Sequence, residues 1–155
     1  MKFSTREDIE APIDYVFARA SDFATFERQA LRRGAQVKRI DDGDAYDVGA
    51  KWDVAFKFRN KDRKMQAELV SLDDPNFMRV DTVSSGLDAK ATMELVSLSP
   101  KRTRIVVGVE MTAKSLSARL LLQSLKLAKG SLDDRFAARV RKFATNVEED
   151  YRKGK

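Results

Sequence analysis

Two charged residues on an otherwise apolar segment, Arg79 and Asp81, have the spacing needed to orient a polar ligand together. They alternate with Met78 and Val80 in the stretch FMRVDTVSS, and alternation places them on one face of a strand. If Phe77 points inward with them, this face carries a buried ion pair that could hold a ligand head group. If Met78 and Val80 point inward instead, both charges are solvated. The desolvation cost of a buried pair favours this second arrangement.

A second alternating segment, VGAKWDVAFKFRN at residues 48–60, predicts a strand with one apolar face. Trp52, Val54 and Phe56 lie on that face, where they could pack as a solid core or line a cavity for an apolar ligand. The two interpretations are compatible along one strand. We expect a cavity near Trp52 and solid packing near Phe58.

Flexible and aliphatic side chains on neighbouring segments extend this candidate binding surface. Met65 and Leu69 share one strand face, and Met93 lies on the apolar face of a later strand, where a flexible thioether adapts to variable apolar shapes. Leu121 and Leu125 recur at helical spacing in the C-terminal segment. The candidate ligand-binding residues are therefore Trp52, Val54, Phe56, Met65, Leu69, Arg79, Asp81, Met93, Leu121 and Leu125.

Catalytic chemistry is restricted by two missing residue types, because the 155 residues include no histidine and no cysteine. This excludes the commonest general base, the Ser-His-Asp triad, thiolate nucleophiles and nearly all transition-metal sites. An acid or base would have to be Asp, Glu, Lys, Arg or Tyr. No carboxylate pair, nucleophile motif or phosphate-binding loop has a diagnostic spacing. The sequence therefore predicts no catalytic residue, no metal and no cofactor, and favours a binding protein over an enzyme.

The charge balance permits an acidic partner without requiring one. The chain carries 30 basic and 24 acidic residues, for a net charge of +6. The basic residues cluster only mildly, as at 57–64, and scattered charge is typical of a solvated surface. Nucleic acid or an anionic membrane is therefore a compatible but not a favoured partner, and the oligomeric state stays open. The charged N-terminus MKFSTRED lacks the apolar stretch of a signal peptide, so we expect a cytoplasmic location.

Two periodicities predict the elements that position these residues. The predicted elements, in order, are a strand at 3–10, helices at 12–20 and 21–34, strands at 35–41, 48–60, 63–72, 77–85, 87–98 and 103–112, and a helical segment at 115–152. Phe23, Phe26, Ala30 and Leu31 fall on the inner side of the second helix. Glycine inside a helix costs about 1 kcal/mol relative to alanine. We therefore expect the last helix to bend near Gly130, with a break into two helices as the alternative.

This order of elements predicts an α+β fold formed by one domain over residues 1–155. Six consecutive strands joined by short polar turns indicate an antiparallel meander, since parallel neighbours would need long crossovers. A sheet with one apolar face and a long amphipathic helix with one apolar stripe must cover each other. We therefore expect a seven-stranded antiparallel sheet curled round the C-terminal helix, with two short helices between the first two strands.

Four motifs within this order are IEAPIDYVFARASDFATFERQ (9–29), VGAKW (48–52), AELVSLDDP (67–75) and KRTRIVV (101–107). Together with the element order they resemble the polyketide cyclase/dehydrase and lipid-transport branch of the START-like superfamily, often called SRPBCC. The fold of that family is the helix-grip. The resemblance covers nearly the whole chain, and its most characteristic points are Ala11-Pro12 after the first strand and the Gly49/Trp52 pair.

The resemblance implies a deep cavity between the sheet and the C-terminal helix that binds a hydrophobic or amphipathic small molecule. A lipid, a quinone, a polyketide or a hormone-like compound would suit such a cavity. This chain departs from two groups of relatives. The glycine-rich loop of the plant pollen allergens is missing, since DDGDAYDVG carries only Gly43 and Gly49, and the iron-binding histidines of the Rieske oxygenases are absent.

Three functions follow as hypotheses. The leading one is binding, transport or sequestration of a hydrophobic small molecule. The second is an enzyme of the aromatic polyketide cyclase or dehydratase type, in which Arg79 or Asp81 projects into the cavity. The third is a basic interaction module that contacts RNA, the ribosome or an anionic membrane, because some relatives are described as ribosome-association toxins or coenzyme Q-binding proteins.

Overall fold

The computed structural model describes residues 1–43 and 45–154, which form one antiparallel sheet of seven strands and a set of helices. The strands are β1 (Lys2–Ile9), β2 (Gln36–Arg39), β3 (Lys51–Phe58), β4 (Lys61–Asp73), β5 (Phe77–Ser84), β6 (Leu87–Ser99) and β7 (Arg102–Ala113). The helices are α1 (Ile13–Ala20), α2 (Phe23–Arg32), α3 (Leu116–Leu127) and α4 (Lys129–Arg152). The strand order in the sheet is β1-β7-β6-β5-β4-β3-β2.

This topology confirms the predicted helix-grip α+β fold. From β2 to β7 the strands form a meander, and β1 closes the sheet by pairing with β7, so that Phe3 lies opposite Val109. Tight turns fit the short connections: Arg59 and Asn60 both have positive φ, 54° and 61°, the pattern of a two-residue hairpin turn whose twist matches that of the strands. Among residues 1–43 and 45–154, no helix has both the length and the apolar character needed to cross a bilayer.

One side of the sheet, called here the helix-facing side, packs against α1 and α4. Met93, Leu95 and Ile105 form a buried cluster with Val140 and Val147 of α4. Side chains of directly paired residues in adjacent strands lie on the same face. The register therefore assigns every strand residue either to this side or to the opposite, outer side.

The C-terminal segment is broken into two helices, the alternative to a single bent helix. Ala128, with φ −107° and ψ 15°, separates α3 from α4 two residues before Gly130. The side chain of Ser115 caps α3 by accepting a hydrogen bond from the Ala118 amide at 3.1 Å. The break leaves α4 as the long helix that the sheet grips, while α3 is free to take its own direction.

The second short helix, α2, packs less deeply than predicted. Its N-cap is as expected, since the Asp22 side chain accepts from the Thr25 amide at 3.3 Å. Every residue of α2, all of them described by the structure, keeps some solvent exposure. Leu31 is exposed rather than inward, and Phe26 is 41% exposed. The helix therefore overhangs the sheet and leaves a space beneath it.

Candidate functional site

An apolar groove of about 180 Å³, called here the α2 groove, lies between α2 and the helix-facing side of the sheet. Its lining consists of Phe23, Phe26, Glu27 and Ala30 from α2, and Val37, Trp52, Val54, Ala67 and Val80 from β2, β3, β4 and β5. Among these described residues Glu27 alone is charged. An apolar site with one placed polar group is the usual composition of a small-molecule pocket.

The strand register brings the floor of this groove together. Trp52 pairs with Ala67, and Val54 pairs with Val37 on one side and Met65 on the other. Paired residues share a face, so the alternation predicted for β3 gathers side chains from three strands. The small Ala67 leaves room beside the Trp52 ring.

Two residues of the groove lining, Phe23 and Trp52, belong to an aromatic cluster. The Tyr46 and Trp52 rings stack with an interplanar angle of 11° and centroids 6.4 Å apart, and the Phe23 ring lies 5.6 Å from that of Trp52. The Arg39 guanidinium carbon lies 5.0 Å from the Tyr46 centroid and 5.5 Å from the Trp52 centroid. Stacking between a guanidinium and aromatic rings fixes the ring planes.

Glu27 joins this cluster through its carboxylate. The indole N–H of Trp52 donates to Glu27 Oε1 at 2.8 Å. Burial, together with a hydrogen bond to Glu27, raises the pKa of the Tyr46 phenol above its ordinary value, and the nearby Arg39 only partly opposes this. Tyr46 therefore stays a protonated hydrogen-bond donor at neutral pH.

Arg39 is held in place by Asp41. The Arg39 Nε and Nη2 groups each donate to Asp41 at 2.6 Å, and the backbone amide of Lys51 donates to Asp41 Oδ1 at 3.0 Å. These hydrogen bonds, the one with Arg39 first, hold the pKa of the Asp41 carboxyl well below its usual range. The pair fixes the guanidinium against the two rings.

The Asp41→Asn variant is expected to be less stable than the wild type near neutral pH, with a difference that shrinks on acidification. A carboxyl whose folded pKa is depressed stabilises the fold above its unfolded pKa of about 4, and this contribution is lost as pH falls through the folded pKa. Urea unfolding at a series of pH values between neutral and strongly acidic would measure it. Asp53→Asn, on the exposed side of β3, serves as the control, and a constant difference between Asp41→Asn and wild type would contradict the assignment.

The structure brings together part of the predicted site. Trp52 and Val54 line the α2 groove, and Met65 lies opposite Val54 on the same side. Phe56 follows on that side and pairs with Arg63. These residues keep the orientation that the alternation predicts.

Other predicted residues lie away from the groove lining. Leu69 is completely buried in a core cluster with Ala50 and Trp52, and Met93 belongs to the cluster under α4. On α3, Leu125 is buried and Leu121 is half-buried. The residues predicted to form one continuous binding surface are thus divided between the groove floor, two packed clusters and α3.

The ion pair of β5 takes the favoured of the two predicted arrangements, with Met78 and Val80 inward, which puts Arg79 and Asp81 outside the candidate ligand-binding surface. Met78 pairs with Met93 on the helix-facing side, so Arg79 and Asp81 lie on the outer side. Arg79 Nε donates to Asp81 Oδ1 at 2.7 Å, and this bond lowers the pKa of the Asp81 carboxyl. Desolvation explains the outcome, because this side leaves the pair partly in water.

Sequence reasoning missed Glu27, Arg39 and Tyr46. A signal for Glu27 was present: it follows Phe23 by four residues, so it is a charged residue on the stripe predicted to face inward. Tyr46 lies in the loop between β2 and β3, and no periodicity predicts where a loop side chain points. Larger depressions of about 680 and 590 Å³ lie near the β3–β4 hairpin, and one of about 560 Å³ lies between α2 and α4. Polar and charged side chains dominate the first and the third, whereas the lining of the second includes several apolar residues, among them Val37, Val54, Met65 and Val83.

Comparison with protein families identifies one match over most of the chain. The family model described as "Polyketide cyclase / dehydrase and lipid transport" matches residues 1–148. The sequence matches none of the curated proteins with which it was compared.

Several solved structures are similar in fold at low sequence identity. The Zhui aromatase/cyclase from Streptomyces sp. R1128 has a TM-score of 0.67 and 12% identity, with 97% of this chain and 95% of that chain covered. A norcoclaurine synthase point mutant from Thalictrum flavum, in complex with a transition-state analogue, has a TM-score of 0.69 and 17% identity over 97% and 96% of the chains. The same synthase in complex with dopamine and hydroxybenzaldehyde has a TM-score of 0.66 and 17% identity over 96% and 87%. At these identities the likeness establishes the fold.

Proposed function

The chain belongs to the polyketide cyclase/dehydrase and lipid-transport family, and on that premise we propose that it binds a hydrophobic or aromatic small molecule in the α2 groove. The observation that carries the proposal is the groove itself, whose apolar floor combines the buried Trp52 ring with the half-buried Val54 and Val80 beneath α2. Leaving such a surface uncovered costs free energy of hydration, at about 25 cal/mol per Å². A ligand that covered it would recover that free energy.

The groove suits a ligand of about one aromatic ring, or the end of a larger molecule. Its 180 Å³ is below the range of about 300–1,000 Å³ found for pockets that enclose drug-sized ligands. None of the residues of α2, all described, is buried. An outward displacement of this helix would widen the groove for a longer ligand, at the cost of the Phe23–Trp52 ring contact and the hydrogen bond from Trp52 to Glu27.

Polar groups at the aromatic cluster would orient the ligand. Glu27 can accept a hydrogen bond from a ligand hydroxyl or amine, while the Arg39 guanidinium lies over the neighbouring rings. The norcoclaurine synthase structure with dopamine and hydroxybenzaldehyde gives an example of the same fold holding small phenolic and amine-bearing rings. A ligand that combines an apolar ring with one polar substituent fits this chain's groove best.

Catalysis by the same site is the second candidate, and the contact between Tyr46 and Glu27 favours it. A protonated phenol beside a carboxylate is a donor–acceptor pair that can move a proton at a carbonyl carbon or oxygen, the requirement of cyclisation and dehydration. An experiment can distinguish the two functions, because an enzyme converts the compounds that it binds and a binding protein releases them unchanged.

Ligand binding is expected to change the fluorescence of Trp52, the only tryptophan of the chain, and Ala30→Phe is expected to weaken it at least tenfold. Ala30 lines the groove from α2, so a phenyl ring there occupies the ligand's volume without adding a second indole. Titration with fatty acids, quinones and aromatic polyketides, followed at the Trp52 emission band, would measure the effect.

The matched control is Ala18→Phe, since Ala18 is exposed on α1 and does not line the groove. It should bind as tightly as the wild type. Equal affinity in both variants would place the ligand elsewhere and refute the assignment of the α2 groove. An unchanged Trp52 spectrum with every compound class would refute binding of these ligands altogether.

A further inference from the structure

Helix α3 carries a ridge of exposed leucines on the side away from the core. Leu116, Leu120 and Leu127 are 72%, 57% and 92% exposed. At 3.6 residues per turn they lie within about 40° of one another on the helix surface. The buried residues of α3, which are Ala118, Leu122 and Leu125, lie on the opposite side. The leucine ridge therefore points directly into solvent and does not border the core.

Basic side chains flank the ridge on both sides. Arg119 and Lys126 follow one edge of it at helical spacing. On the other edge Arg59, from the tip of the β3–β4 hairpin, donates from Nη1 to Ser124 Oγ at 2.5 Å. The hairpin thus lies beside α3, and the two elements present one continuous surface.

The charge of this surface is strongly one-sided. Residues 114–132 contain four basic residues and no acidic one, and the hairpin residues 57–64 contain five basic residues and one acidic one. Two of these basic residues form ion pairs with acidic residues outside the two stretches: Lys114 with Asp88, and Lys129 with Asp133. Arg119 and Lys126 are both exposed, so the basic charge beside the leucine ridge is directed to solvent.

The ridge is held rigidly at its N-terminal end. The Ser115 hydroxyl caps α3 and also lies 3.3 Å from the Ser85 carbonyl in the β5–β6 turn, while the Lys114 amide donates to the Gly86 carbonyl at 2.6 Å. Gly86 has a φ of 81°, and a β-carbon there would lie 2.4 Å from the Ser115 hydroxyl. The contact requires glycine, so this junction fixes where α3 begins.

We propose that α3 and the β3–β4 hairpin form a docking surface for an anionic lipid membrane. A helix with leucines on one side and lysine or arginine beside them lies in the plane of a bilayer interface, with the apolar side chains among the acyl chains and the cations at the head groups. Each basic residue near an anionic leaflet adds to the attraction. This inference rests on the exposed face of α3 and is independent of the ligand proposed for the α2 groove.

A second copy of the chain is a less suitable occupant. A two-fold dimer places the same patch against itself, which would bring Arg119 and Lys126 of one copy against the basic residues of the other. A protein partner would also need a wider surface. Stable interfaces bury about 800 Å² on each partner, and one face of a helix about 18 Å long is too narrow for that area. Membrane insertion needs only the ridge and its charges.

The absence of cysteine from the sequence allows a direct test with a single introduced label. Leu127→Cys, carrying an environment-sensitive fluorophore, is expected to shift its emission to the blue with vesicles of phosphatidylcholine mixed with phosphatidylserine, and not with phosphatidylcholine alone. The matched control is Leu98→Cys, an exposed leucine at the far end of β6, whose label should not respond. A response of both labels, or of neither, would overturn the proposal.

Vesicle co-sedimentation of unlabelled variants separates the apolar and the charged contributions. The triple variant Leu116→Gln, Leu120→Gln, Leu127→Gln keeps helix propensity and should lower binding at least tenfold. The pair Arg119→Gln, Lys126→Gln should lower it about 30-fold at low salt, since each basic residue near an anionic surface contributes about fivefold. The control Val96→Gln, Leu98→Gln should bind like the wild type.

Three results would overturn the proposal, and two of them would assign the surface to a different partner. Equal binding to neutral and anionic vesicles would show that the basic residues do not contribute to membrane binding. A concentration-dependent dimer that the leucine variant abolishes would assign the ridge to a second copy. Binding to single-stranded RNA, lost in the charge variant and accompanied by no vesicle binding, would assign the surface to nucleic acid.

Discussion

Replacing Leu69 by alanine is expected to destabilise the protein by about 3 kcal/mol, because removal of a buried aliphatic side chain costs about 2–5 kcal/mol. Leu69 is 0% exposed and packs with Ala50, Trp52 and Ala67. Its amide donates to the Ala50 carbonyl at 2.9 Å, which ties β4 to the start of β3 and limits how far the site could collapse. Urea unfolding at neutral pH would measure the change in free energy.

The matched control is Leu127→Ala, since Leu127 is 92% exposed on α3 and surface substitutions usually change stability by less than about 0.5 kcal/mol. The comparison also tests the sequence-based prediction that Leu69 contacts a ligand. A cost below about 1 kcal/mol for Leu69→Ala would mean that its side chain faces open volume. The structure instead places it in solid packing beneath the α2 groove.

The strand faces could be predicted from the sequence because a strand has only two of them. Alternation placed Trp52, Val54 and Met65 on one side, and the register puts the three residues together on the helix-facing side. Likewise the helical period predicted an apolar stripe in the last third of the chain, and Val140 and Val147 are buried against the sheet. In each case local geometry fixes the direction of the side chain.

The remainder of the site depends on tertiary packing that no local pattern encodes. Both faces of β5 carry apolar residues, so the desolvation cost favoured the outward arrangement of Arg79 and Asp81 but did not fix it. The pairing of Met78 with Met93 fixes it. Tyr46 reaches Trp52 from a loop. The depth at which α2 packs depends on the volumes of its neighbours, and this depth separates a solid core from a groove.

The two surfaces inferred here use the same sheet in different ways. The α2 groove is formed over β2 to β5 by a helix whose residues all keep some exposure. Helix α3, by contrast, buries Ala118, Leu122 and Leu125 and turns its remaining leucines outward. The two proposals therefore rest on different helices, and variants of α3 and of α2 test them separately.

Trp52→Ala is expected to destabilise the protein by about 3–5 kcal/mol, the usual cost of deleting a buried aromatic ring, and Trp52→Phe by less. The indole stacks with Tyr46, contacts Phe23 and lies under the Arg39 guanidinium. Phenylalanine keeps most of this packing but removes the N–H that donates to Glu27. Thermal and urea unfolding of the two variants would give both values.

A double-mutant cycle between Trp52→Phe and Glu27→Leu isolates the hydrogen bond. We expect a coupling free energy of about 1.5–3 kcal/mol, the range for a hydrogen bond to a charged group. Additivity within about 0.3 kcal/mol would instead mean that stacking alone holds the indole. The result also bears on ligand binding: a strongly coupled Glu27 is occupied by Trp52 in the free protein, so a ligand hydroxyl must share that carboxylate, and Trp52→Phe should then strengthen binding of hydroxylated rings relative to their unsubstituted analogues.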